Sequence, residues 1–311
     1  MNDLIRAVGD VVTSEATWIS AVTFAALLGF GAVGEWVAEK SGTMNISLEG
    51  MLLAGAFAGA VGYDVTESTA AAMAFGALGG VSVAAVQAHM SHHLSADQFV
   101  VGLTLNIGVL GLSGFLDGEI EPQTARAART ALPLLSDIPF LGDALFDQPW
   151  PMYLLYPMIP LAWWLVYRTR WGLEVRAVGE RPNAAHASGI AVNLRRRQSI
   201  YLAGLSAGLG GAYLTIGVIG SFDTAMVGGR GFIAIAAVIF GGWTLRGTIA
   251  GCVLFGTVLS FRLSLPLVGY ELNNELLTSL PFVVTLLAMA VFAQRVRAPG
   301  ALAQPFIGMP D

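Results

Sequence analysis

Apolar and small residues fill this chain in blocks of about 20, separated by short polar breaks, the length an α-helix needs to cross the roughly 30 Å hydrocarbon core of a bilayer. The pattern predicts spans near 18–37, 44–63, 69–88, 96–117, 151–167, 199–219, 230–243, 246–264 and 275–294. That makes about nine helices, within a range of eight to ten, and 230–243 is short enough for a half-helix or re-entrant segment. A β-barrel would show alternation over about ten residues per strand, which is absent. The reading is an all-α polytopic membrane protein with one transmembrane domain over 1–311, multi-pass in the cell (plasma or inner) membrane. The stretch 118–150 holds four prolines and is too interrupted to span, so it is expected to be a folded outer loop.

Composition strengthens this picture. Of 311 residues 55% are hydrophobic and 12% charged, against about 25% charged in a soluble domain. Glycine occurs 38 times, and small residues let helices approach closely in lipid. Gly-x-x-x-Gly recurs at Gly55/Gly59, Gly76/Gly80, Gly204/Gly208 and Gly247/Gly251, so a tightly packed bundle is expected. Charge then orients it. The stretch 168–198 carries seven arginines and "QRVR" near the C-terminus two more, so both should be cytoplasmic. Lys40 and Arg246 then fall inside, while 1–17, "DVTES" (64–68) and 118–150 fall outside. The N-terminus is expected outside, without a cleavable signal peptide, and the C-terminus inside.

Enzyme chemistry finds little support. "GLSG" (111–114) has the form of an intramembrane serine nucleophile, but His89, His92, His93 and His186 all lie toward the opposite side from Ser113. No zinc-protease, paired-aspartate or phosphate-loop motif occurs, so no nucleotide is expected on this chain. "HMSHH" (89–93) has helical spacing but no carboxylate or cysteine to complete a metal set, and Cys252 is alone in an apolar run. "RRR" (195–197) reads as an interfacial anchor, and no nucleic-acid partner is expected. In "LSADQ", Ser95 and Gln98 have capping-box spacing.

The polar positions at span mouths are the informative ones. Asn45 and Glu49, four apart, would share one helix face that continues through small residues. Glu49 in a first helical turn favours the positive helix end by about 0.3–1 kcal/mol, and Asn45 can cap that helix. The same face could instead line a passage, offering an amide and a carboxylate to substrate hydroxyls. Asn106, Arg230 and Phe232 are the other pathway candidates, with Arg230 equally readable as an interfacial anchor. "NISLEGMLLAGAFAG" and "GRGFIAIAAVIFGG" share a polar start and a small-residue run, as two broken elements meeting at midplane would, although helix packing alone would also produce the echo.

"NAAHASGI" (183–190) resembles the Glu-Ala-Ala-x-x-x-Gly coupling motif of permease subunits of ATP-binding cassette (ABC) importers, with Asn183 in place of the glutamate and Glu180 three residues upstream. "SGTMNISLEGMLLAGAFAG", "ADQFVVGLTLN" (96–106), "TRWGLEVRAVGERPNAA" (169–185) and "GRGFIAIAAVIFGGW" (229–243) are similar, in order and spacing, to the branch importing nucleosides and simple sugars. The resemblance covers about residues 30 to 260. It implies an ABC importer permease fold, a nucleoside-like substrate moved by alternating access, and ATPase coupling through Glu180, Asn183, Ala184, Ala185 and Gly189 in the 168–198 loop. It also implies a separate ABC ATPase using ATP and Mg, an extracytoplasmic substrate-binding protein, and a second homologous permease subunit. A heterodimer is expected, with a homodimer as the alternative. No cofactor or metal is expected in this chain. The alternatives are an importer of a pentose or hexose, or an ion-coupled secondary transporter; the latter would need buried Asp/Lys pairs, which the spans lack.

Overall fold

The computed structural model describes residues 9, 11–136, 138, 142–267, 279, 283 and 297–307. Four long helices come first: α1 (Glu15–Lys40), α2 (Leu48–Thr66), α3 (Thr69–His92) and α4 (Gln98–Ile120). Ser68 caps α3 by accepting the Ala71 N–H, and Asp97 caps α4 by accepting the Val100 N–H. The expected Ser95–Gln98 box is not formed. Ser95 sits at φ +55°, Asp97 takes the cap position, and Gln98 turns its side chain to accept the Met44 N–H at 2.7 Å.

The loop after α4 contains an antiparallel pair, β1 (Arg129–Ala131) with β2 (Asp147–Pro149), and the short α5 (Gly142–Phe146) between them. A 3-10 turn (Trp150–Leu154) leads into α6 (Leu155–Arg168). Then follow α7 (Arg170–Glu180), α8 (Pro182–Ala187) and α9 (Val192–Ala212), which continues as a π-helical stretch, Tyr213–Ile219. Helices α10 (Arg230–Phe240) and α11 (Leu245–Leu267) complete the described bundle.

Among the described residues six helical runs are long and apolar enough to cross a membrane: α1 to α4, Val192–Ile219 and Leu245–Leu265. The expected 151–167 span is a five-residue 3-10 turn continued by a 14-residue helix, together about 30 Å long. Helix α10 has 11 residues, about 16 Å at 1.5 Å per residue. The expected 275–294 span lies outside the described residues.

Glycines set the packing. A Cβ on Gly80 would overlap the Gly204 carbonyl, one on Gly208 the Gly76 carbonyl, and one on Gly55 would come within 2.5 Å of Gly208 Cα. The motifs of α2, α3 and α9 therefore face one another with backbones in contact. Gly247 and Gly251 of α11 meet Gly241 and Ala237 at the end of α10. Around α1 the core is larger, with Trp36, Phe30 and Phe255 fully buried. Helix α4 lies at the edge, exposing Leu103, Ile107, Leu110 and Phe115.

The two ends of the bundle gather different loops. At one end Ala303 N–H bonds Gly42 O and Ala301 N–H bonds Gly179 O, bringing the residues after α1, the arginine-rich loop and 297–307 together. At the other, Gln123 N–H bonds Asp64 and Thr124 bonds Gly220 O. Thr17, near the start of α1, is at that second end too: its carbonyl accepts from Ser260, and Thr23 reaches Gln148.

Candidate functional site

Glu49 stands in the first turn of α2, and its side chain crosses to the start of α10. Oε1 accepts the Gly229 N–H at 2.7 Å and Oε2 the Gly231 N–H at 2.6 Å. A carboxylate is favoured there because the first N–H groups of a helix lack internal partners and carry partial positive charge. The approach needs glycine. A Cβ on Gly231 would lie 2.7 Å from Glu49 Cα and N, and Gly229 turns the chain into the helix at φ +83°. The two echoing stretches thus meet at their polar starts.

Beside this junction lies a cavity of about 570 Å³ between α2, α4 and the segment entering α10. Glu49, Asn106 and Thr224 are its polar residues, and Leu53, Ile107 and Phe232 are among its apolar ones. The Asn106 side chain is largely committed: Oδ1 accepts the Gly50 N–H and Nδ2 donates to Ile46 O, each at 2.8 Å, tying α4 to the start of α2. Phe232 is 43% exposed and presents a ring to the space. A mostly apolar pocket with a few fixed polar groups suits a ligand with a flat face and hydroxyls. Arg230 does not line it. Its guanidinium donates to the carbonyls of Met226 and Val227 and lies 5.6 Å from the centre of the Phe24 ring.

Asn45 is elsewhere. Helix α2 starts at Leu48 with Ser47 at the cap position, so Asn45 neither shares a helix face with Glu49 nor caps the helix. It is 1% exposed and donates to Glu35 Oε2 at 2.7 Å, while Ser47 donates to its Oδ1. Glu35 and Glu39 are both buried in α1, and Glu39 accepts the Trp243 indole N–H. Trp36 in turn donates to the Trp243 carbonyl at 2.8 Å. This carboxylate and tryptophan cluster joins α1, the loop before α2 and the α10–α11 connection. Sequence reasoning overlooked it, although "EWVAEK" carries the signal: two carboxyls four residues apart inside an apolar run.

In the arginine-rich loop, α8 ends at Ala187, and Gly189 just beyond it, at φ +83°, lets the chain reverse into α9. Asn183, Ala184, Ala187 and Ser188 are exposed. Ala185 is not part of a flat outer surface with Ala184: it turns inward, 5% exposed, against Val178 and Val192. Glu180 is exposed, and its Oε2 lies 3.4 Å from the Gly300 N–H. Arg196, read from the sequence as an anchor, is fully buried. Its guanidinium donates to the carbonyls of Ser41 (3.2 Å) and Gln304 (2.6 Å) and reaches that of Ala301 (3.5 Å). Phe306 packs on the Val178, Ala185 and Val192 cluster and on the His186 ring, 5.4 Å between centroids. The 297–307 segment therefore clasps the loop that carries α8.

The profile of the family described as "Branched-chain amino acid transport system / permease component" matches residues 18–290. The chain belongs to this family. Curated relatives align over nearly their whole length with this permease. A nucleoside ABC transporter permease protein of Lactococcus lactis is 33% identical over 88% of this chain and 90% of the relative. A guanosine ABC transporter permease protein of Bacillus subtilis is 32% identical over 92% and 94%. A putative glucose ABC transporter permease protein of Haloferax volcanii is 30% identical over 92% and 95%. The permease is a multi-pass membrane protein and a transport component, and ATP hydrolysis belongs to a separate subunit. The matched span includes Glu49, the cavity and α8, whereas 297–307 lies beyond it.

Proposed function

We propose that this permease lines the pathway of an ATP-driven importer for a nucleoside, in the plasma (inner) membrane with 168–198 and the C-terminus cytoplasmic. The observation that carries the reading is the cavity that Phe232, Leu53 and Ile107 line together with Glu49. An aromatic and aliphatic wall can stack a base, and the free lone pairs of Glu49 can accept ribose hydroxyls. Relatives named for nucleoside and guanosine transport support the same substrate class.

Coupling follows from packing. A Cβ on Gly179, at the end of α7, would overlap the Lys40 carbonyl. Movement of α7 and α8 is thereby passed to residues 40–47, which lead into α2 and Glu49. Closure of paired ATPases on α8, through Asn183, Ala184 and the Gly189 turn, would shift the start of α2 against α10 and change which side the cavity faces. A second permease, homologous rather than identical, would close the pathway along the exposed face of α4, and an extracytoplasmic binding protein would deliver substrate.

The test is reconstitution of the whole importer in proteoliposomes with labelled guanosine. ATP-dependent uptake should be competed by nucleosides and not by glucose, and Glu49→Gln should lower it at least tenfold with normal membrane insertion. ATP-dependent uptake of glucose without guanosine would replace the substrate assignment with the sugar reading, which the Haloferax relative's name favours. Uptake that follows an ion gradient without the ATPase would overturn the importer itself.

A further inference from the structure

Two cavities adjoin between α6 and α11, away from the Glu49 site, and share Ile159 and Ile249. The first, about 200 Å³, is apolar and reaches inward to Ala25, Gly29 and Cys252. The second, about 460 Å³, widens toward Trp163, Leu245 and Arg246. Arg246 is exposed and makes no ion pair among the described residues. Arg168, also exposed, holds its guanidinium 5.5 Å from the centre of the Trp163 ring. A single furrow thus has Arg246 and Trp163 at one mouth, with Arg168 stacked on that tryptophan, and an apolar chamber at the other end.

Its length suits one leaflet. From Arg246 to Thr257, which lines the deep chamber, α11 rises about 16 Å, close to half of a roughly 30 Å hydrocarbon core. The cationic mouth lies at the end of the bundle that holds the arginine-rich loop, because Arg168 begins that loop and Trp243, near Arg246, bonds Glu39. Tryptophan at such a depth matches the interfacial belt, and basic pockets between membrane helices bind anionic headgroups.

We propose that this furrow is a binding site for one anionic phospholipid. Its phosphate lies between Arg246 and Arg168, its glycerol region rests on Trp163, and one acyl chain fills the chamber walled by Ala25, Gly29 and Cys252. Charge complementarity at the mouth selects the headgroup, and the apolar depth selects a chain. The proposal is independent of what the permease transports.

Native mass spectrometry of the purified permease, exchanged into a defined mixture of phosphatidylglycerol and phosphatidylcholine, tests it. Wild type should retain one phosphatidylglycerol in preference to phosphatidylcholine. Arg246→Gln should lower that preference about fivefold, and Arg168→Gln with Arg246→Gln about 25-fold, the loss expected for one and two cations near an anionic headgroup. Val253→Trp, at an exposed rim of the chamber, should displace both lipids while leaving the melting temperature near that of wild type. Equal retention of both lipids by wild type, or an unchanged preference in the double arginine variant, overturns the proposal. So does a Trp163→Cys variant that forms a disulfide-linked dimer free of bound lipid, because the furrow would then be an interface between copies. None of these outcomes bears on uptake, so the importer reading stands or falls separately.

Discussion

Glu49 has both carboxylate oxygens committed to backbone N–H groups of α10, and Gly231 is what lets the two elements come that close. Gly231→Ala places a methyl 2.7 Å from Glu49 Cα, N and Oε2, two of them backbone atoms that cannot swing away. Overpacking of this kind costs about 1–3 kcal/mol. The expected outcome is a lowered melting temperature and ATP-dependent uptake reduced at least tenfold, measured by thermal unfolding in detergent and by flux in proteoliposomes. Unchanged uptake would mean that the α2–α10 contact is not part of the moving pathway. Asn45 teaches the complementary lesson. Its spacing from Glu49 was compatible with a shared helix face, but α2 starts three residues after it, and its amide is satisfied by Glu35. Spacing constrains a face only once the helix boundary is known, and boundaries shift by a residue or two with the cap.

At the scale of elements, small residues decide which helices touch. The Gly-x-x-x-Gly pairs of α3 and α9 were legible because glycine at that spacing leaves a smooth strip on one face. Their mutual partnership was not, since four such pairs were available. The structure brings Gly76/Gly80 onto Gly204/Gly208. Gly80→Leu should therefore separate α3 from α9 and prevent accumulation of folded protein. Gly111→Ala in α4, where an added Cβ meets nothing within 4 Å, should be tolerated and should raise stability by up to about 1 kcal/mol through helix propensity. Membrane expression followed by size-exclusion profiles distinguishes the two. Equal behaviour of both variants would remove the glycine contact as the basis of the bundle. The half-helix α10 was also legible, from the shortness of its apolar block, whereas the 3-10 entry to α6 was not: prolines 149, 151 and 157 mark an irregular start without fixing its form.

For the whole molecule, the decisive relation is between the loop carrying α8 and the Glu49 cavity, which the proposed coupling would link. Ala184 is exposed and Ala185 is buried against Val178 and Val192, so substitutions at the two alanines would separate the proposed docking from folding. Ala184→Glu should leave the melting temperature within a degree or two of wild type and reduce both co-purification of the ATPase and coupled uptake. Ala185→Glu should lower stability directly, by burying a charge without a partner. If Ala184→Glu couples normally, α8 is a solvated connector. Much of this arrangement follows from the sequence alone: membrane class from the length of the apolar blocks, family from ordered motifs, and the gathering of Lys40, the arginine-rich loop and the C-terminal segment at one end from parity and charge. Those are local properties, or sums of them, and need no knowledge of what touches what. Only the tertiary structure decided that Glu49 seats on α10, that Asn45 serves Glu35, that Ala185 points inward, and that Arg196 is buried beneath 297–307. Each depends on a distant backbone arriving at the same point. A buried cation such as Arg196 is tolerated because carbonyls from Ser41, Ala301 and Gln304, remote in the chain, converge on it, and no window of sequence contains all of them.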